Sequence, residues 1–213
     1  AGNTVTRTFD ARNQLLTETR YAVPDPDGAG AQPASSPMVT RYVYDAGLRN
    51  RLRFVIGAEG RVTEYQYNGY GQVSVSHVYT TATYDVRSLA ATAVPSEAQM
   101  ATWAAAQDLT RIQRTYFTYD ARGQLQYRYE YATTTATGAG TYDTLAGLTQ
   151  YVYDTAGLLL KTISPLAGTT LYTYDGLGRV RTQTDAKGQL TTTEYDDTNQ
   201  RTLVTQANGL LTT

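Results

Sequence analysis

The fold of this chain follows from the stretch Tyr172-Thr173-Tyr174-Asp175-Gly176-Leu177-Gly178-Arg179-Val180. Tyrosines two residues apart lie on the same face of a β-strand. Asp175 then predicts a turn, because an Asp side chain accepts backbone N–H bonds just ahead of it. Gly178 can adopt the positive φ that a type I turn with a left-handed bulge residue requires. The apolar Val180 begins a returning strand, so the stretch predicts a β-hairpin.

The same pattern recurs along the chain. Asp154, Asp175 and Asp196 stand 21 residues apart, which is the length of two strands and two turns. A second glycine turn, as at residues 185–188, falls between successive Tyr-Asp turns. Asn replaces Asp in one copy, another has a turn that reads one residue shorter, and weaker copies start at Phe9 and Tyr195. The motif residues are Tyr42, Tyr44, Asp45, Gly47, Tyr65, Tyr67, Asn68, Gly71, Tyr119, Asp120, Gly123, Tyr151, Tyr153, Asp154, Gly157, Tyr172, Tyr174, Asp175 and Gly178.

These repeats predict a mainly β protein, an antiparallel sheet of successive hairpins that twists and curves. We expect the paired tyrosines to form a ladder with those of neighbouring strands. Residues 1–213 are interpreted as a single array and as a fragment of a longer protein, with insertions at about 22–40, 82–112 and 132–147. Within these, residues 24–37 predict a long loop and residues 133–140 a flexible hairpin tip.

A short helix is predicted near residues 96–107, inside the second insertion. Ser96 and Gln99 form a capping-box pattern, and Met100, Trp103 and Ala104 follow with helical spacing. This apolar face either seals part of the sheet or docks a partner.

Composition excludes several functional classes. The formal net charge is -1 and the basic residues are scattered, whereas a nucleic-acid binder needs a basic stripe. With no cysteine, disulfide and thiolate chemistry are excluded. No apolar run reaches the ~20 residues of a membrane-spanning helix. The chain has 19 tyrosines against 3 phenylalanines, and tyrosine favours pleated, half-buried surfaces.

No catalytic, cofactor or metal site is predicted. His77 is the only histidine and its alternating flanks indicate an ordinary strand position. The turn aspartates could pair as acid and base, but each already has a turn-capping role. Residues 25–28 resemble the start of a calcium loop without its closing Glu, so a Pro-Gly turn is the better interpretation.

The motif Tyr-x-Tyr-Asp-x-x-Gly-Arg-Val at 172–180, recurring in register from Phe9 to about Asn208, resembles the YD repeat of Rhs proteins, toxin-complex C-type subunits and teneurins. This resemblance implies a β-sheet strip that spirals into a hollow shell, which in bacterial members encloses a toxic C-terminal domain of the same polypeptide. The core segment that follows the repeats in that family, whose Asp residues mediate self-cleavage in many members, has no counterpart here. Neither cleavage nor toxicity is therefore assigned to these residues.

The resemblance implies a structural segment of a shell or scaffold, not an enzyme, in a secreted or bacterial cell-surface protein. Its expected partners are further repeats and the C-terminal effector domain of the same polypeptide, and sheet edges could also pair with another copy. The alternative is a cell-surface adhesion or carbohydrate-binding module whose exposed tyrosine rows stack on sugars. Tyrosines held within the sheet favour the first interpretation, and tyrosines facing solvent in a groove favour the second.

Overall fold

The computed structural model describes residues 5–23, 35–47, 49–141 and 145–212. Most of the loop predicted at 24–37, including the turn at 25–28, lies outside the described residues. Over the described ranges β-strand is the main secondary structure, with one α-helix, α1 (Glu97–Ala105), and a 3₁₀-helix at Leu109–Arg111. The strands are β1 Val5–Phe9, β2 Leu15–Val23, β3 Ser35–Tyr44, β4 Leu52–Ile56, β5 Arg61–Tyr67, β6 Val73–Thr83, β7 Ile112–Tyr119, β8 Leu125–Tyr131, β9 Leu145–Tyr153, β10 Leu159–Ser164, β11 Gly168–Tyr174, β12 Val180–Thr184, β13 Leu190–Asp196, β14 Arg201–Thr205 and β15 Leu211–Thr212.

Hydrogen-bonded neighbours follow chain order from β1 to β15. The pairs whose register is defined are antiparallel. This order arises because most strands end in a tight turn that returns the chain alongside itself, whereas β6 and β7 are joined by the connection that contains α1. The predicted class, an antiparallel hairpin sheet with one short helix, is confirmed.

Strand pairing extends into the intervals predicted as insertions. β2 continues to Val23 and β3 begins at Ser35, so only the middle of the interval 22–40 separates them. β6 continues to Thr83 and β9 begins at Leu145. The single-array organisation stays a prediction, and the chain divides into two compact units. The first unit comprises residues 1–115 and 131–144, and the second comprises 116–130 and 145–213.

The core of the first unit lies on one face of β3 to β6. Val43 is paired with Phe54, and Ile56 with Val62, so four apolar side chains meet across three strands. Met100 belongs to the same buried cluster and is 0% exposed. α1 begins with the predicted capping box of Ser96 and Gln99. The helix therefore seals the sheet with its apolar face, and that alternative is confirmed.

The connection from β6 to α1 is also tied to this face. Arg41 of β3 is buried, and its guanidinium donates to the carbonyl oxygens of Ala93 at 2.9 Å and Ala90 at 3.2 Å. The backbone N–H of Tyr84 donates to the carbonyl of Gly60 at 2.8 Å. A buried guanidinium needs acceptors for its N–H groups, and the irregular backbone of the connection supplies them.

The interval predicted as a flexible hairpin tip, residues 133–140, contains a hydrogen-bonded turn. Gly138 has a φ of 74° and its N–H donates to the carbonyl of Thr135 at 2.8 Å. Thr134 is buried and its hydroxyl donates to the carbonyl of Leu109. The predicted turn is present at these residues, and their flexibility stays a prediction.

The second unit has no fully buried side chain among its described residues. Half-buried and exposed positions alternate in β11, Gly168–Tyr174, and in β12, Val180–Thr184. Cross-strand pairs such as Thr173 with Thr182, whose hydroxyls lie 2.6 Å apart, replace a packed core. Backbone pairing and turn contacts therefore carry most of the stability of this unit.

Candidate functional site: the braced tyrosine–aspartate turns

The acidic residue of each repeat organises its turn through one side-chain oxygen. Oδ1 of Asp120 accepts from the backbone N–H of Arg122 and of Gln124, both at 2.9 Å. The N–H of Asp120 donates to the carbonyl of Gln124 at 2.9 Å, and that of Gly123 to the carbonyl of Asp120 at 3.0 Å. The same side-chain bonding, to the residues two and four positions ahead, occurs at Asp10, Asn68 and Asp175.

These carboxylates are held as hydrogen-bond acceptors. The backbone N–H of Arg179, together with its guanidinium and the N–H of Leu177, keeps the pKa of the Asp175 carboxyl below its usual value. A general acid needs the opposite shift. The arrangement therefore suits turn capping, not proton donation.

A left-handed residue closes each turn, and it is glycine in four motif copies. Gly71, Gly123, Gly157 and Gly178 have φ of 86°, 80°, 89° and 78°. The Asp45 turn differs, because its left-handed residue is Asn50 (φ 52°).

The prediction of a shortened turn ending at Gly47 was therefore wrong. The N–H of Asp45 pairs with the carbonyl of Arg51 at 2.8 Å, which makes this turn two residues longer than that of Asp120. In the weak copy that starts at Tyr195, the left-handed residue is Gln200 (φ 53°). Asn50 can adopt its left-handed conformation because asparagine tolerates positive φ. The spacing of the motif does not reveal this role, because the length of the turn varies between copies.

The tyrosine ladder predicted from the motif does not form between directly opposed residues. The first tyrosine of a copy faces a non-aromatic residue across the strand pair. This holds for Tyr42 with Val55, Tyr65 with Ser76, Tyr151 with Thr162 and Tyr172 with Gln183. A returning strand lies between successive Tyr-Asp strands, which places their rings roughly 10 Å apart.

The second tyrosine of a copy instead makes a recurrent hydrogen bond, here called the tyrosine brace. Its hydroxyl donates to the backbone carbonyl of the apolar residue that begins the returning strand of an earlier hairpin. The bond occurs within the first unit and, separately, within the second. The five braces among the described residues are Tyr44 to Leu15 (3.1 Å), Tyr67 to Leu52 (2.6 Å), Tyr153 to Leu125 (3.0 Å), Tyr174 to Leu159 (2.8 Å) and Tyr195 to Val180 (2.9 Å).

The brace hydroxyls of Tyr44, Tyr67, Tyr153 and Tyr174 are partly withdrawn from water. Burial raises the pKa of Tyr44, and the nearby charge of Asp10 adds to the effect. Burial likewise comes first for Tyr153 and Tyr174, where Tyr151, Tyr172 and the aspartates of the preceding turns contribute further to the raised pKa. The phenols therefore stay protonated and available as donors. The signal that could have indicated the brace is the regular pairing, within this chain, of the second tyrosine with an apolar residue after the turn.

A second link joins successive turns. It is made by the residue just before the apolar residue whose carbonyl accepts the brace bond. Arg51 lies over the Tyr67 ring at 4.4 Å, and Arg179 over the Tyr195 ring at 4.1 Å. Where glutamine occupies the position, its amide reaches a carbonyl of the next turn, as Gln124 does with Gly157 at 2.9 Å. Cation–π or amide contacts thus tie the turns of Asp10, Asp45, Asp120 and Asp175 to the next Tyr-Asp turn.

His77 lies in β6 as predicted, but it is buried in an ionic cluster with Arg53, Glu64, Tyr79 and Arg114. Its Nε2 lies 2.8 Å from Nη1 of Arg114, which must be the donor, and its Nδ1 lies 3.9 Å from Oε2 of Glu64. The Tyr79 hydroxyl donates to Glu64 at 2.9 Å. These residues come from strands far apart in the sequence, so no local motif indicates the cluster.

Opposing effects act on Glu64 in this cluster. Burial alone raises the pKa of the Glu64 carboxyl, but hydrogen bonds from His77 and Tyr79 and the charge of Arg53 outweigh it and hold the pKa below its usual value. Burial, and then the Glu64 charge, raises the pKa of Tyr79. The cluster holds the covered sheet face together, and each polar member has a partner.

Within residues 5–23, 35–47, 49–141 and 145–212, no three His, Asp or Glu side chains come together as a metal site. Over the same residues, none of the helices has the length and apolar character needed to cross a membrane.

Comparison with known proteins identifies repeats in the C-terminal part of the chain. Residues 153–189 and 174–211 match the family model described as RHS Repeat. Residues 153–211 therefore carry RHS repeats. The two matched repeats each contain a complete Tyr-Asp turn, those of Asp154 and Asp175.

Solved structures similar to this Rhs-repeat chain are toxin-complex proteins. A TcdB2-TccC3-TEV crystal structure matches 95% of the chain at 16% identity with a TM-score of 0.47. TcdB2-TccC3 without its hypervariable C-terminal region matches 95% at 15% identity and 0.47. A Photorhabdus luminescens Tc holotoxin pore matches 97% at 16% identity and 0.46. The chain spans only 9% of each of these chains. No curated protein matches it.

Proposed function

We propose that this Rhs-repeat segment forms part of the wall of a β-sheet shell or scaffold that encloses or presents a C-terminal toxin or effector domain of the same polypeptide. The observation that carries the proposal is the tyrosine brace. In each of its five occurrences the motif tyrosine is used to hold one hairpin on another. A repeat whose polar groups serve its neighbours has the chemistry of a continuous wall.

The segment is proposed to have no catalytic activity of its own. Its turn aspartates accept backbone hydrogen bonds, and its single histidine is bonded to Arg114 inside the first unit. We expect the purified chain to show no hydrolase, nuclease or transferase turnover. An activity that co-purifies with the wild-type chain and disappears in Asp120→Asn, which preserves turn capping, would contradict this.

The proposed partners are other regions of the same polypeptide, namely further repeats and the effector domain. Among the described strands, β1 and β15 are the outermost in the hydrogen-bonded order, and each pairs on one side only; such edges pair readily with another strand. A second copy of the chain can pair with these same strand edges. The proposed location is outside the cell or on a bacterial surface.

Enclosure is tested by limited proteolysis of the natural polypeptide that carries this segment. We expect the region following the repeats to resist protease in the wild type. It should become cleavable when two braces are removed together by Tyr153→Phe and Tyr174→Phe. The matched control changes the first tyrosines of the same strands, Tyr151→Phe and Tyr172→Phe, and should leave protection intact. Equal cleavage in wild type and brace variant, or a downstream region that is accessible from the start, would refute enclosure.

A further inference from the structure

Two Asn-Gly steps occur in the chain, and both lie in turns. One is Asn68-Gly69, between β5 and β6, and the other is Asn208-Gly209, between β14 and β15. A glycine after asparagine leaves its own backbone nitrogen open to approach, because no Cβ shields it. The two steps share this feature, so their surroundings in the folded chain decide which of them reacts.

The reaction open to an Asn-Gly step needs only water. The backbone nitrogen of the glycine gives up its proton and attacks Cγ of the asparagine side chain. An N–C bond forms, the bond from Cγ to the side-chain nitrogen breaks, and that nitrogen takes up a proton and leaves as ammonia. Water then opens the resulting cyclic imide at either carbonyl, which gives aspartate or isoaspartate.

The Asn68 side chain is held away from this reaction. Its Oδ1 accepts from the N–H groups of Tyr70 and Gln72, both at 3.0 Å, and its Nδ2, the leaving group, donates to Oε1 of Gln72 at 2.9 Å. The side chain is half-buried, and its turn joins two long strands, β5 of 7 residues and β6 of 11. Attack on Cγ therefore requires these hydrogen bonds to break in a turn that seldom opens.

The Asn208 side chain is held far less firmly. It is exposed, and its Oδ1 accepts from the N–H of Leu210 at 3.0 Å. Its Nδ2 makes no hydrogen bond to another described residue. The N–H of Gly209 donates to the carbonyl of Gln206 at 2.8 Å, so the turn must open before the glycine nitrogen attacks. That opening costs little, because β15 has only 2 residues and both are exposed.

We propose that Asn208 is a spontaneous modification site, where conversion to isoaspartate releases β15 from β14. Isoaspartate carries the main chain through the former side chain, which inserts a methylene group into the turn. The bond to the Leu210 N–H is then lost, and the pairing of Thr205 with Leu211 is out of register. β14 gains an open edge, and such edges pair readily with another strand. This site goes beyond the scaffold role, because it makes the pairing edge of the segment change with age.

The test is peptide mapping by mass spectrometry of the whole chain during storage at mildly alkaline pH, once folded and once in concentrated guanidinium chloride. In the folded chain we expect Asn208 to react at least about tenfold faster than Asn68, because fewer hydrogen bonds must break first. In the denaturant both turns are absent, and the two rates should agree within about threefold. Equal rates in the folded chain, or a preference for Asn208 that persists unchanged in denaturant, would overturn the proposal.

A pair of glutamine variants tests the protection of Asn68. Gln72→Ala removes the acceptor of the Asn68 amide, and should speed the conversion of Asn68 in the folded chain by at least about threefold. The matched control is Gln66→Ala, at an exposed glutamine of β5, which should leave that rate unchanged. The same rate in both variants would refute protection by hydrogen bonding.

Hydrogen exchange tests the release of β15. The control is Asn208→Ser, which keeps a side-chain oxygen as an acceptor for a nearby N–H but has no amide to lose. After ageing, the backbone amides of β14 should exchange faster than before in the wild type and at the original rate in Asn208→Ser. Unchanged exchange in a wild-type sample that carries isoaspartate at position 208 would refute the release.

Discussion

Removing one brace hydroxyl should destabilise the first unit by a predictable amount. Tyr67→Phe deletes the donor to the Leu52 carbonyl, a bond of 2.6 Å, and leaves the ring in place beneath Arg51. A hydrogen bond contributes about 1 kcal/mol net, and an acceptor left buried without a partner costs about 1–3 kcal/mol. Because Tyr67 is only partly buried, water can reach the carbonyl in part, so we expect a loss of about 1–1.5 kcal/mol.

The assay is urea unfolding followed by the fluorescence of Trp103, the single tryptophan, which lies in the same unit and packs against Tyr79 at 5.0 Å between ring centroids. The matched control is Tyr65→Phe, in the same strand, whose cross-strand partner is Ser76. We expect the control to change the free energy of unfolding by less than about 0.5 kcal/mol. If the two variants lose the same stability, the brace is not a stabilising contact and the reasoning fails.

Three further predictions concern the turns, the ionic cluster and the core. Gly178→Val should destabilise the second unit by about 1–3 kcal/mol, because φ is 78° there. The matched control is Gly176→Val, where φ is not positive and no atom lies within 4 Å of a new Cβ. Hydrogen exchange of the flanking strands should show a much smaller loss of stability in this control than in Gly178→Val. Because the folded-state pKa of Glu64 is lowered, its stabilising contribution is complete above the unfolded value of about 4.5 and is lost as pH falls through the folded one. Acid titration of unfolding should therefore flatten in Glu64→Gln, and an unchanged profile would contradict the cluster. Met100→Ala should cost about 2–5 kcal/mol by leaving a cavity, whereas Met38→Ala, at a side chain 46% exposed, should be nearly neutral in thermal unfolding; similar losses would show that α1 does not seal the sheet.

Local features of the fold were predictable from sequence. The hairpins follow from residues a few positions apart, such as Asp175 and Gly178, and the helix from the capping pattern of Ser96 and Gln99. Each of these is decided by backbone geometry within one turn. The spacing of the repeats and the residue types in the turns were therefore enough to predict the class of fold and most turn positions.

Contacts between distant residues were not predictable. The Tyr67 hydroxyl reaches the backbone of Leu52, and no side-chain type marks an acceptor carbonyl. Glu64 and His77 meet only because the β5–β6 register aligns them, and Arg114 joins them from β7. The end of the Asp45 turn was predicted wrongly because Gly47 fits the motif in the sequence. The left-handed conformation of Asn50 depends on the length of the loop, which the motif does not give.

The acceptor in every brace is a main-chain oxygen, which any residue type provides. The brace bond therefore does not depend on the side chain at the contacted position, which is Leu159 in one copy and Val180 in another. A change of residue type at the contacted position therefore leaves the hydrogen-bond acceptor in place. Loss of the tyrosine hydroxyl, by contrast, removes the bond.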